Sequence, residues 1–273
     1  MKMKKRFLVL LSIMAVLTIV LAGCGNQKDN SVKKVQDKKT LVVGTSADYA
    51  PFEFPIMQNG KKQIVGFDIL LAKQIGKDLG VKVKIVNTDY PDLLPELKNN
   101  KVDMVIAGMT PTAQRRKSIA FSTPYYYTSN TLLVRKADAT KYNTIADLKQ
   151  KSVGAQQSST QETIAKQQLK DSNVVTESLV TGMTTELQNG KLDGVVMEKA
   201  ISDNYVRKYP EKYAVAKVKL STPKQASQIC VAGRKGDKAL MKRTNKVIKH
   251  LKKSGQLDKM FNQAEEIQVK YNK

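Results

Sequence analysis

Short apolar runs alternate with helical periods along most of this chain, and that alternation restricts the fold more than any other feature. Leu41-Val42-Val43-Gly44 reads as a buried strand. Leu71, Ile75 and Leu79 recur every four residues, and Gly80 marks the helix stop. Val81, Val83 and Ile85 then alternate with Lys82 and Lys84, the pattern of a half-buried strand. Residues 92–100 predict a short helix and 102–107 a second buried strand. After Tyr125-Tyr126-Tyr127 the pattern resumes, with strands expected at 152–155, 174–175 and 194–197 and helices at 160–169 and 183–188. A basic helix over 237–253 and a shorter one over 256–262 close the chain. Alternation of this kind predicts α/β layers on a mainly parallel sheet. Two units of similar size emerge, with no fixed-period repeat.

The N-terminus reads differently. Lys2, Lys4, Lys5 and Arg6 form a positive head before an apolar run over 7–22. Sixteen residues is short for a membrane span, which needs about 20. The run ends in Leu21-Ala22-Gly23-Cys24, small residues of the kind a signal peptidase requires, and it resembles a bacterial lipobox with Cys24 as the lipidated residue. Residues 1–23 are therefore expected to be a lipoprotein signal peptide. The polar stretch that follows, to residue 40, is expected to be a flexible tether.

Composition narrows the chemistry. The 273 residues carry 47 Lys+Arg against 24 Asp+Glu, a net charge of +23. Cleavage before Cys24 removes 23 residues, four of them basic, and leaves 250 residues at +19. With two Cys, one His and no Trp, neither a disulfide scaffold nor a His/Cys metal site has enough material. The lone His250 sits in a Lys-rich stretch, which argues against hydrolytic triads. Cys230 lies in the apolar run 228–232 and reads as a small buried hydrophobe in a strand.

The densest polar cluster follows the first strand, from Gly44 through Ser46, Asp48, Tyr49, Pro51 and Glu53 to Phe54. In open α/β sheets, ligands sit where loops leave the carboxyl ends of strands. Gly66-Phe67-Asp68 opens the next helix. Further on, the strand at 102–107 runs into Gly108 and Thr110, where the backbone can approach a ligand closely. Arg115, near a helix start, suits a bidentate carboxylate contact. Arg115 and Arg116 equally fit a solvated basic face.

Tyr-Ala-Pro-Phe-Glu at 49–53, Gly-Phe-Asp at 66–68, the segment 108–115, and Val153-Gly154 with Gln161-Glu162 stand in an order that resembles bacterial solute-binding proteins of family 3. These are the extracellular receptors of polar amino acid ABC importers, and the similarity spans residues 41–263. The resemblance implies an α/β, type II periplasmic-binding-protein fold of two lobes joined by a two-segment hinge. Lobe one would be 41–128 with 225–273, and lobe two 129–224. The hinge would fall near Tyr127-Thr128 and 222–228.

Site roles follow from the resemblance position by position. Arg115 would clamp the ligand α-carboxylate, helped by Thr110 and Thr160. The Gly108 carbonyl would accept from the α-ammonium, and Glu198, where the family often has Asp, would neutralise it. Tyr49 and Tyr90 would wall the ligand side chain. Ser46 stands where basic amino acid binders commonly carry an acid, which leaves Asp48, Glu53 or water to partner a distal cation, and Gln156 occupies the matching position on lobe two. Glutamine, arginine and histidine all remain open as ligands. No metal or cofactor is implied, and the partners would be a free amino acid, the importer's membrane subunits and, through the anchor, the outer face of the cell membrane. A monomer that binds no nucleic acid and catalyses nothing is expected. Two rivals stay in view: a surface adhesin for anionic polymers, suggested by the charge, and a small-carboxylate dehydratase on the same fold, for which only Glu198 offers a base.

Overall fold

The computed structural model describes residues 29–271. Strand β1 (Thr40–Thr45) forms the buried centre of the first lobe, pairing in parallel with β4 (Lys82–Asn87) and β5 (Met104–Val105). Between them lie a hairpin, β2 (Phe54–Gln58) with β3 (Lys61–Val65), and helix α1, Ser31–Asp37, precedes the sheet. Helices α2 (Phe67–Leu79) and α3 (Leu93–Lys98) connect the parallel strands. Leu71, Ile75 and Leu79 all face the core, and Gly80 ends α2 in the left-handed conformation, as the four-residue period requires.

The short helix α4 (Ala113–Arg116) leads into β6 (Ile119–Phe121). After β7 (Tyr126–Tyr127) the chain enters a second five-stranded sheet. Its members are β8 (Asn130–Arg135), β9 (Ser152–Gln156), β10 (Asn173–Glu177), β11 (Gly194–Glu198) and β12 (Tyr213–Val215), in the order β10-β9-β11-β8-β12. Helices α5 (Thr160–Gln168), α6 (Val180–Gln188) and α7 (Lys199–Lys208) cover it. The chain then returns through β13 (Gln228–Ile229), which pairs with β7, and β14 (Ala232–Arg234) joins the first sheet between β5 and β6. Helices α8 (Lys238–Lys253) and α9 (Gln256–Tyr271) pack back on α2. Two α/β lobes are thus traversed by a chain that passes between them twice.

Four expectations need correction. Each sheet is mixed: β14 and β8 run antiparallel to their neighbours, because each belongs to a segment that has just crossed between lobes. The run 228–232 is not one strand. β13 pairs with β7 and β14 with the main sheet, and the Cys230 N–H between them donates to the Met109 carbonyl at 2.9 Å. The last helix continues to Tyr271, since Ala264 and Gln268 extend the buried face begun by Leu257 and Met260. Finally, part of the expected tether is helix α1. Val35 is buried against β1 and α8, the Leu240 N–H donates to the Ser31 hydroxyl at 3.1 Å, and Lys33 pairs with Asp37 one turn on at 2.7 Å. A helix this short is held by tertiary packing more than by propensity. Cys230 is buried as expected, and burial pushes its thiol up to about 12.

An aromatic cluster fastens the ligand-side loop to the crossover. Phe52, at the centre, meets Tyr126 of β7 edge-on at 5.2 Å, and Phe261 of α9 stacks on Tyr126 at 4.9 Å. Phe67 at the start of α2 completes the group. The α2 N-terminus caps onto the same loop, with the N–H groups of Phe67 and Asp68 donating to the Pro51 and Phe52 carbonyls. Gly66 permits this approach, since its φ is 130° and a Cβ there would lie 2.1 Å from the Phe52 carbonyl oxygen. Among the described residues, no helix is long and apolar enough to cross a membrane.

Candidate ligand-binding site

The loop after β1, the Gly108 turn after β5 and the N-terminal ends of α5, α6 and α7 meet between the lobes. Six of the nine expected residues, Ser46, Tyr49, Tyr90, Gly108, Gln156 and Glu198, line one cavity of about 10 Å³. That is room for about one water molecule. The lobes are therefore closed tightly.

One ion pair, Arg207 Nη2 to Glu265 Oε1 at 2.6 Å, joins them away from the cavity, and three further hydrogen bonds cross between them beside it. The Tyr49 hydroxyl donates to the Glu198 carboxylate, Arg115 Nη2 donates to the Ser158 carbonyl at 2.9 Å, and the Val180 N–H donates to Asp48 Oδ2. Arg115, Thr110 and Thr160 do not line the cavity. Arg115 reaches it through Tyr90, whose hydroxyl accepts from Nη2 at 3.1 Å, while Nη1 donates to the Thr110 carbonyl at 2.7 Å. Its α4 turn is capped by Thr112, whose hydroxyl accepts from the Arg115 N–H. The guanidinium is thus occupied by carbonyl oxygens in the closed form. The Thr160 hydroxyl is buried and turned to Gln161 at 3.3 Å, while Gln156 donates to the Ser178 carbonyl at 3.0 Å. Cys24 lies outside the described residues.

Behind the cavity stands an acidic relay to which sequence reasoning assigned no role. The Asp68 carboxylate accepts from the Gly108 N–H at 2.9 Å and from the Tyr125 hydroxyl at 2.8 Å. Gly108 is held in a left-handed conformation, and a Cβ there would press on the Tyr49 ring at 3.2 Å. Burial, followed by the neighbouring Asp68 with which it shares a hydrogen bond, raises Glu53 well above the usual carboxylate range. Burial likewise pushes Asp68 up to about 6, although its donors favour the charged form. Glu198 rises to about 7 from burial, against the pull of hydrogen bonds from Tyr49 and Gln161. Asp48 rises to about 6 from burial, against the Val180 N–H. The signal for Asp68 was an acid in the first turn of a helix otherwise read as core-facing. Gln161, which donates to Asn130 at 2.8 Å, carried no signal beyond its motif.

The arrangement sets a guanidinium at one end of a cleft and carboxylates along it, a complement to a zwitterion. No group of acidic, Cys and His side chains among the described residues is arranged to hold a metal ion. The sequence profile of the bacterial extracellular solute-binding proteins, family 3, matches residues 41–264. The chain belongs to that family. This family 3 protein is 33% identical over 258 residues to the arginine-binding extracellular protein ArtP of Bacillus subtilis, covering 94% of this chain and 96% of the relative. Its fold matches an amino acid ABC transporter substrate-binding protein of Streptococcus pneumoniae bound to L-arginine, with a TM-score of 0.84 and 35% identity over 86% of this chain and 98% of the other. It also matches an ancestral amino acid-binding protein described as a precursor of cyclohexadienyl dehydratase, with a TM-score of 0.75 and 34% identity over 85% of this chain and 98% of the other. The type II periplasmic-binding-protein fold is thereby established for this family 3 member.

Proposed function

We propose that the protein is an extracellular receptor, lipid-anchored through Cys24, that closes its lobes on a polar amino acid and delivers it to an ABC importer without chemical change. The observation that carries this reading is the closed cleft itself, where Arg115 from lobe one and Glu198 from lobe two stand on either side of Tyr49 and Tyr90. An α-carboxylate replaces the carbonyl oxygens now held by Arg115, and an α-ammonium takes the place of the Tyr49 hydroxyl beside Glu198. Because the closed cavity is so small, the lobes must part for a ligand to enter, and each contact to both lobes then favours reclosure. Lobe one extends from helix α1 to 128 and resumes at 225, lobe two is 129–224, and the β7–β13 ladder with 222–227 serves as the hinge. Arginine is the favoured cargo among polar amino acids, supported by the names of the relatives. The same relatives are transport proteins, which supports binding without catalysis.

A thermal-shift screen against the twenty amino acids tests the reading. The cargo should stabilise the protein by about 2.7 kcal/mol at a hundredfold excess over its dissociation constant. Absence of any shift, together with no change in small-angle scattering, overturns it. For the anchor, Cys24→Ala should release the protein from the cell surface or block its processing, and unchanged retention counts against lipidation.

A further inference from the structure

Resting on the lipid-anchored receptor reading, we propose that the lysine face of helix α8 lies on anionic phospholipid headgroups, so that lobe one is the half of the receptor held against the membrane. Helix α8 carries six lysines and one arginine among its sixteen residues, and no acid. Lys238, Lys242, Lys246, Lys249 and Lys253 are all exposed. At about 100° per residue they fall within an arc of about 80°. That arc is opposite the buried Thr244, Val247 and Leu251.

Like charges one turn apart oppose helix formation, and three other helices set an acid against the lysine instead. Lys33 pairs with Asp37 on α1, Lys166 with Glu162 on α5 and Lys199 with Asp203 on α7. On α8, Lys238, Lys242 and Lys246 follow one another at that spacing, as do Lys249 and Lys253. None of the five forms an ion pair among the described residues, and the flanking Arg243 is taken by Asp78 of α2 at 2.7 Å. The anions that complement this stripe lie outside the molecule.

The chain ahead of α1 selects the membrane as their source. Ser31, the first residue of α1, accepts from the Leu240 N–H in the first turn of α8 at 3.1 Å. Seven residues of chain lead to it from Cys24. Fully extended they reach at most about 25 Å, close to the length of the stripe from Lys238 to Lys253, about 22 Å. A lipid on Cys24 therefore keeps the bilayer surface within reach of α8 and raises the local concentration of headgroups around it. Lysines within a Debye length of an anionic leaflet are each attracted to it. The anchor then decides that the protein is held, and the stripe decides which lobe lies down. Lobe one also carries Arg115, so the wall that captures the carboxylate is fixed and lobe two is the half that swings.

Vesicle co-sedimentation of the whole processed chain from residue 24, carrying Cys24→Ser so that no lipid contributes, decides the matter. The vesicles are phosphatidylcholine alone or phosphatidylcholine mixed with phosphatidylglycerol. The protein should bind the mixed vesicles alone and leave them at high salt. A Lys242→Gln/Lys246→Gln/Lys249→Gln variant should bind them about a hundredfold more weakly, with its melting temperature and amino acid affinity kept. Lys170→Gln/Lys217→Gln/Lys219→Gln removes the same charge from exposed positions of lobe two. That variant should stay within about twofold of the parent, because the attraction fades within a Debye length. Equal losses in the two triple variants show that net charge, and not the α8 face, meets the membrane, and they overturn the proposal. Absence of binding to the mixed vesicles overturns it, as does tighter binding to soluble polyglycerol phosphate than to the vesicles. Either result leaves the receptor reading standing if an amino acid still raises the melting temperature. The anchor itself is judged apart from both, by release of Cys24→Ala from cells.

Discussion

On the first-lobe wall of the cleft, Arg115, Tyr90 and Asp68 are bonded to their own lobe before they meet the other, whereas the second-lobe wall leaves its carboxylate to be completed from across the gap. Arg115 is held by the Thr110 carbonyl and Tyr90, and Asp68 by Gly108 and Tyr125. Glu198, 2% exposed, has a hydrogen bond from Gln161 in its own lobe and is completed by the Tyr49 hydroxyl of the opposite lobe. The difference assigns the two walls different work. The first is preorganised and suited to capture, and the second is completed only on closure, so that it reports whether the captured molecule fits.

The comparison breaks first at Arg115. Arg115→Ala should cost about 2–5 kcal/mol in binding, the range for truncating one partner of a desolvated charge pair. Arg116→Ala should stay within about 0.5 kcal/mol, since that side chain donates to the Pro111 carbonyl and lies over Phe121. Calorimetry on both variants checks this, and equal losses show that the first wall is not organised around Arg115.

Glu198→Gln probes the second wall. It keeps the shape and removes the charge, so binding should weaken by about 1.5–3 kcal/mol, the range for a hydrogen bond to a charged group. Interlobe distance, read by small-angle scattering at saturating ligand, should remain longer than in the wild type. Full compaction of this variant would mean that closure does not depend on the second-lobe carboxylate.

A change of pH sharpens the contrast without mutation. Asp48 and Asp68 stand at about 6 and Glu198 at about 7 in the closed fold, above their ordinary values. Groups raised in this way stabilise the fold fully below about pH 4 and lose that contribution as pH rises through 6 to 7. The unliganded protein should therefore melt lower at pH 8 than at pH 5. A cationic ligand competes with those protons, so binding near pH 6.5 should release about one proton, measured by calorimetry in buffers of different ionisation enthalpy. Proton uptake on binding contradicts this assignment.

The smallest effect concerns α1, which packs on the first lobe alone. Val35→Ala should cost about 1 kcal/mol and lower the melting temperature by about 2–4 °C, with ligand affinity unchanged. A loss of affinity would place α1 in the closing motion.

Much of the fold was legible because periodicity is local. The runs at 41–44, 71–79 and 194–197 each state which face is buried within one element. Helix α1 escaped notice because one and a half turns with Val32 and Val35 make no period, and its partner α8 lies two hundred residues away. Strands β8 and β12 and helix α7 went unread too, since their register is set by pairing with each other and with β11. At the site, the motifs named most of the residues that line the cavity, but the relay of Glu53 and Asp68 stayed hidden in them. Nothing in a motif tells whether an acid is exposed or neutral.

By itself the sequence determined the α/β class, the family, and the loops at strand ends from which the cleft is built, because each is written in residue types a few positions apart. The tertiary structure alone decided that Tyr49 meets Glu198 across 149 residues of chain, that Asp48 caps a helix of the opposite lobe, and that burial pushes three carboxylates up to about 6 or 7. Charge and protonation depend on burial and on neighbours brought in from other elements. Such neighbours exist only once the lobes have folded and closed.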